Sequence, residues 1–518
     1  MIHISLIKSI DDHLKEKAQK CGTQTAYCDS KTSVTYEELE QRTARLATAF
    51  QETGINLGEA VGVFLPSSVH WIESCLAIVR RGAVAVAINY DASEDEVLYM
   101  LQDSACSAVI STPERAELLN KVGTSVPSMK VIVLVGSAPS ASAPNVKSYE
   151  SLLTGSVRQD ASQGNDIDAP SFILYTSGTT GKPKGVELTQ RNMLWVIAAA
   201  WKPIAGMGYD DYLLSPLPLF HSYAVNLVVL APLVTGAKAR ILERFSTNDI
   251  LSLLSSGEFT IFSGVPTMFN YLLQRANDGP LNFGKLRLCI SAGAVMPATL
   301  NEEFERRTKV CLIDGLGATE TATMITLNWP GSERVMGSCG APILGQAVRI
   351  VDPITRRDVT PGNEGELIVR GANVMLGYHN RPEETAKALV DGWYLTGDLA
   401  RCDPNGLITI TGRIKELIIR GGENIAPAEI EEVVMQIPGI EDCSAVAGPD
   451  QNLGEIPVLF VVPKPGFQLD SATIKGICAN HLSSYKVPAA IHFIDRIPRT
   501  GSGKALRHQL RKRLDVSS

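Results

Sequence analysis

No apolar run in the chain reaches the roughly 18 residues that a membrane-spanning helix needs, so no transmembrane segment is expected. The opening residues, Met1-Ile-His-Ile-Ser-Leu-Ile-Lys8, lack a basic stretch ahead of an apolar one, and Asp11 and Asp12 follow at once; no secretory leader is expected. Ten cysteines are scattered without a Cys-x-x-Cys pair or His-rich spacing, which points away from a structural zinc site and from a disulfide framework. A reducing cytoplasm is the expected location. Basic residues are not in excess: the net charge of -7 argues against nucleic acid as a partner. Internal repeats, long charge blocks and a Ser-His-Asp pattern are absent as well.

What is present is enough chain for two or three domains, at 518 residues, with the 45% hydrophobic and 20% charged content of a soluble globular protein. Residues 1–30 read as a helix and a short strand. Thr35-Tyr-Glu-Glu38 reads as a capping box that starts a helix ending near Gly54. Apolar runs at Ala60–Leu65, Ala83–Ile88, Ala108–Ile110 and Val131–Val135 read as buried strands, and 69–81 and 94–102 as helices between them. Buried strands alternating with helices predict an α/β fold with mainly parallel, helix-covered sheets. Gly136 to Pro144 and Ser162 to Ala169 are polar connecting stretches. A helix is expected from Met193 to Ala200, and strand-to-loop transitions at Ile261–Met268 and Leu288–Pro297.

The stretch Tyr175-Thr-Ser-Gly-Thr-Thr-Gly-Lys-Pro-Lys-Gly185 follows the buried run Phe172-Ile-Leu-Tyr175. Its glycines let the backbone turn sharply and approach a ligand closely. Successive N–H groups in such a loop form a nest for anionic oxygens. Thr176, Ser177, Thr179 and Thr180 add hydroxyls, and Lys182 and Lys184 add positive charge, so the loop suits a polyphosphate. It is not a Walker A loop, because Thr176 stands five before Gly181 and Pro183 follows Lys182.

This stretch closely resembles the phosphate loop of the adenylate-forming superfamily, which includes acyl-CoA synthetases, adenylation domains and luciferases. The likeness runs from about residue 10 to the end. Its further pieces are Asp314-Gly-Leu-Gly-Ala-Thr-Glu320, Trp393-Tyr-Leu-Thr-Gly-Asp398, Gly412-Arg413 and Pro498-Arg-Thr-Gly-Ser-Gly-Lys504. Leu316 departs from the pattern by standing where the family usually has a tyrosine.

The resemblance implies a role for each matching residue. ATP would be held by Thr176, Ser177, Gly178, Thr179, Thr180, Gly181, Lys182 and Lys184 at its phosphates. Gly293, Ala294, Asp314, Gly315 and Leu316 would lie at the adenine site, and Thr319 would bond a phosphate oxygen. Glu320, with Thr176, would ligate Mg²⁺. Asp398 and Arg413 would take the ribose, and Lys504 would be the catalytic lysine. His221, in Leu217-Pro-Leu-Phe-His221, stands where amino-acid-activating members usually carry an aspartate, which favours an acid without an α-amino group. His221, Val265, Ala292, Gly293 and Gly317 would line the acid pocket, and His221, Thr176 and Glu320 would join Lys504 in catalysis. The small pocket residues suggest a medium- or long-chain fatty acid, with an aryl acid behind it. Gly421 and Gly422 would let the pantetheine arm of coenzyme A, or of an acyl carrier protein, pass close to backbone. Residues 1–413 are expected to form a large domain and 414–518 a small mobile α+β lid, hinged at Lys415. Gly371 to Tyr378 is read as scaffold.

Overall fold

The computed structural model of the chain describes residues 1–136, 145–164, 166–176, 183–276, 279–421, 423–499 and 505–515. Among these residues two mainly parallel sheets form the body. The first runs, in spatial order, Cys311–Asp314, Leu288–Ser291, Ile261–Gly264, Tyr212–Ser215, Lys238–Ile241, Thr25–Cys28 and Ser33–Thr35, with only the last pairing antiparallel. The second runs Gly377–Tyr378, Lys184–Thr189, Pro170–Thr176, Val84–Ala87, Ala60–Val63, Ala108–Ser111, Val131–Leu134 and Val146–Ser148. Its first two pairings are antiparallel, so the hairpin carrying the glycine-rich loop closes one side of an otherwise parallel sheet.

The expected elements form for the expected reasons. Thr35 accepts from the Glu38 N–H while the Glu38 carboxylate takes the Thr35 N–H, and the helix Tyr36–Glu52 follows. Ser68 caps Val69–Arg81, which stops at Gly82 in a left-handed conformation. These helices are sandwiched: Val61, Ala85 and Val133 of one sheet share a buried core with Leu213, Ala239 and Ile261 of the other. A difference appears at the helix expected over 193–200. It is α-helical over Gln190–Val196 and continues as the wider π-helix Ile197–Trp201. A second π-helical stretch, Val225–Leu230, packs nearby, and the Trp201 indole donates to Asn226 Oδ1 at 2.7 Å.

A third sheet was not legible in the sequence. Ala347–Val351, Gly365–Arg370, Leu389–Val390, Trp393–Cys402 and Ile408–Arg413 form it, and every pairing is antiparallel. Mainly parallel sheets describe only the first two sheets of the body. Beyond it, Ile418–Arg420, Glu423–Ile425, Ile440–Asp450, Gly454–Pro463 and Ala490–Phe493 pair among themselves. Two buried clusters drawn only from residues 418–514 support this last sheet. No helix among the described residues is long and apolar enough to cross a membrane, and all ten cysteines are free thiols.

Candidate active site

Ligands of open parallel sheets bind outside the carboxyl ends of the strands. Here three adjacent strands end together. Ile261–Gly264 delivers Val265, Leu288–Ser291 delivers Ala292 and Gly293, and Cys311–Asp314 delivers Gly315 to Gly317. All of these residues line one cleft of about 2190 Å³. Gly293 sits at φ 90°, open to glycine at little cost. Gly317 is glycine for want of space, since a Cβ there would lie 1.4 Å from the Thr323 carbonyl oxygen.

The same cleft is lined by Thr176 and Lys184, from the two arms of the glycine-rich hairpin, and by His221. Thr176 Oγ1 lies 3.5 Å from the Lys184 carbonyl oxygen. His221 occupies the N-cap of the short helix Ser222–Ala224, and its ring lies tilted against Phe220 with centroids 4.7 Å apart. Ser222 and Thr319 bring their hydroxyls within 3.3 Å, tying that helix to the Thr319–Thr321 turn. Glu320 projects from this turn, and Oε1 accepts the Tyr378 hydroxyl at 2.9 Å. Asn373 braces the turn by donating to the carbonyls of Thr321 and Met324.

Asp314 is buried at its strand end, and loss of hydration pushes its carboxyl up to about 7, although Asn328 Nδ2 donates to Oδ1 at 2.8 Å. Leu316 lines the cleft half-buried and packs on the core of the antiparallel sheet. That sheet supplies the far wall. Asp398 and Arg413 face each other on paired strands, and Arg413 Nε donates to Asp398 Oδ1 at 2.5 Å. The Asp398 charge is what chiefly raises the Arg413 pKa. Lys415 lines the cleft from the single turn Ile414–Glu416, just beyond Arg413.

The cleft therefore gathers Thr176, Lys184, His221, Val265, Ala292, Gly293, Ala294, Asp314, Gly315, Leu316, Gly317, Thr319, Glu320, Asp398, Arg413 and Lys415. Gly421 does not line it; its N–H bonds the Leu453 carbonyl at 2.7 Å within the last sheet. Ser177, Gly178, Thr179, Thr180, Gly181, Lys182, Gly422 and Lys504 lie outside the described residues. Sequence reasoning passed over two tyrosines. Tyr378 reads as scaffold in the sequence, yet its hydroxyl holds Glu320. Tyr394 lines the cleft near Tyr378 and lies inside the Trp393–Asp398 motif, a signal that could have found it. Arg507 was also passed over. It lines the cleft and spans Glu416 and Glu431.

Residues 14–379 match the AMP-binding enzyme family model, and residues 429–504 match that of the AMP-binding enzyme C-terminal domain. The chain belongs to the AMP-binding enzyme family. Within that family it is 33% identical over 502 residues to a feruloyl-CoA synthase of Amycolatopsis sp, covering 96% of this chain and 97% of that one. It is 31% identical over 533 residues to a long-chain-fatty-acid–CoA ligase of Salmonella typhimurium, covering 97% and 94%. Among solved structures it is similar to ATP-bound MatB from Rhodopseudomonas palustris, with a TM-score of 0.90, 27% identity and coverage of 98% and 99%. A benzoate CoA ligase from Burkholderia xenovorans gives a TM-score of 0.88 at 26% identity, with 97% and 99% covered. As an AMP-binding enzyme with these relatives, the chain is an acid–thiol ligase, an acyl- or aryl-CoA ligase that uses ATP.

Proposed function

We propose that the chain activates a carboxylic acid lacking an α-amino group to its acyl-adenylate and passes the acyl group to the thiol of coenzyme A. The observation that carries this is the convergence, in one cleft, of the hairpin residues Thr176 and Lys184, the Glu320 carboxylate, the Asp398–Arg413 pair and His221.

In the first half-reaction a carboxylate oxygen bonds to the α-phosphorus of ATP and the bond to the β-phosphate oxygen breaks, releasing pyrophosphate. Both reactants are anions, so holding them together and neutralising charge is most of the task. Lys184 and the loop residues 177–182 hold the β- and γ-phosphates. Lys504, as a point charge, holds the acid carboxylate against the α-phosphate. Asp398 takes the ribose hydroxyls, and Arg413 keeps that carboxylate in place. No general base is required, because the nucleophile is already a carboxylate. Hard oxygen donors suit Mg²⁺ here: the Glu320 carboxylate, braced by the Tyr378 hydroxyl, and Thr176 at the same cleft would hold it. When bound, Mg²⁺ neutralises phosphate charge.

In the second half-reaction the thiol sulfur bonds to the acyl carbon and AMP leaves. This needs room for a pantetheine arm where Lys504 was, so residues 414–518 turn as a lid on the 1–413 body about Lys415. Gly421 and Gly422 then enter the cleft beside the arm; the position of Gly421 outside it suits the first half-reaction.

The acid carries no ammonium beside its carboxylate, since Val265, Ala292, Gly293, Gly317 and His221 bring no carboxylate to receive one. A medium- or long-chain fatty acid fits the small residues. An aryl acid is the second reading, and the likeness to a feruloyl-CoA synthase and a benzoate CoA ligase favours it. Work in the cytoplasm, with free coenzyme A rather than a carrier protein as acceptor, completes the proposal. ATP–pyrophosphate exchange across fatty, aryl and amino acids tests it, followed by thioester formation with coenzyme A. Exchange with amino acids alone, or with no acid, overturns it.

A further inference from the structure

Tyr378 lies 58 residues from Glu320 in sequence, yet its hydroxyl is 2.9 Å from Oε1. Its backbone pairs with Val186, on the descending arm of the glycine-rich hairpin. Lys184, on that same arm, holds its ammonium 4.7 Å from the centre of the Tyr378 ring. Tyr394, buried in the strand that also carries Asp398, lies near both Tyr378 and Glu320. One phenol thus touches both the carboxylate and the hairpin lysine.

We propose that Tyr378 is a positioning residue for the metal-binding carboxylate. Its hydroxyl fills Oε1 of Glu320 and fixes the rotation of the carboxyl plane, so that Oε2 is presented to a divalent cation shared with the ATP phosphates. This rests on the reading of Glu320 as the metal ligand. The hairpin does not depend on the hydroxyl for its own anchorage. The His379 N–H bonds the Gly185 carbonyl at 2.7 Å, and the Tyr99 hydroxyl bonds the Pro183 carbonyl at 2.8 Å. Removing the Tyr378 hydroxyl while keeping its ring therefore touches the carboxylate and leaves the phosphate loop and the lysine–ring contact standing.

The test titrates Mn²⁺, followed by electron paramagnetic resonance, into the full chain saturated with α,β-methylene-ATP. Wild type, Tyr378→Phe and Glu320→Gln are compared, and nucleotide affinity without metal is measured beside them. Tyr378→Phe should bind Mn²⁺ roughly tenfold more weakly, the loss expected of a hydrogen bond to a charged group, with metal-free nucleotide affinity as in wild type. Unchanged Mn²⁺ affinity overturns the proposal. So does an equal loss of metal-free nucleotide binding, which would make the tyrosine a support of the hairpin. If Tyr378→Phe fails to fold, 3-fluorotyrosine at position 378 decides, since it keeps the ring and hydroxyl and changes only the donor's acidity: altered Mn²⁺ binding supports the proposal and no change overturns it. Should wild type hold Mn²⁺ no better than Glu320→Gln, the reading of Glu320 itself fails, and that result is distinct from an unchanged Tyr378→Phe.

Discussion

Arg413 and Asp398 face each other across the strands Trp393–Cys402 and Ile408–Arg413, with Nε 2.5 Å from Oδ1. Asp398 is nearly closed to solvent, and its own N–H bonds Thr396 Oγ1 at 3.0 Å, so both ends of the residue are held. A carboxylate fixed in this way is prepared to accept hydroxyls from a ribose. Asp398→Ala should raise the ATP Michaelis constant roughly tenfold or more, as expected for losing a hydrogen bond to a charged group, and leave that of the acid nearly as it was. Steady-state kinetics varying each substrate would decide it. An unchanged ATP constant would make Asp398 a turn residue only.

Asp314 offers a pH test. Burial raises its pKa from 3.8 to about 7, so the folded chain holds this proton more tightly than the unfolded chain. The associated stability is complete below 3.8 and is lost as the pH rises through about 7. Asp314→Asn carries no such charge and can still accept from Asn328. It should therefore match wild type near the acidic end of that range and exceed it at pH ~8, by up to about 4 kcal/mol for a shift of this size. Denaturant melts at several pH values would show it; parallel curves for the two proteins would refute it.

Lys504→Ala should nearly abolish ATP–pyrophosphate exchange without unfolding the chain. Thioester formation from supplied acyl-adenylate should survive better, because the lysine is assigned to the first half-reaction. Equal loss of both activities would count against a lid that changes place between them.

Lys415 belongs to no sheet. It sits in the turn Ile414–Glu416 between Ile408–Arg413 and Ile418–Arg420, where a change of φ and ψ breaks no strand pairing. Proline there fixes φ near −65° and removes a donor. Lys415→Pro should keep pyrophosphate exchange and lose most thioester formation, whereas Lys415→Ala should do far less harm. Parallel loss of both half-reactions in the proline variant, or retention of both, removes the hinge from residue 415.

Sequence by itself determined the helix boundaries that depend on neighbours, such as the Thr35–Glu38 box and the stop at Gly82, because those bonds close within a few residues. It determined the buried strands Ala60–Val63, Val84–Ala87, Ala108–Ser111 and Val131–Leu134, whose runs of valine, alanine and isoleucine mark them. It also named sixteen of the residues that line the cleft, which lie in the short stretches carrying the family likeness. Tertiary structure decided the rest. The antiparallel sheet over 347–413 gave no clean signal, because its edges are short and its middle strand carries the irregular Thr396–Asp398 turn. The hydroxyl on Glu320 comes from 58 residues away and the guanidinium on Glu416 from 91, distances over which no local pattern speaks. Strand pairing sets Tyr378 beside Val186 and Arg413 opposite Asp398, and the helix Arg507–Asp515 brings Arg507 to Glu416.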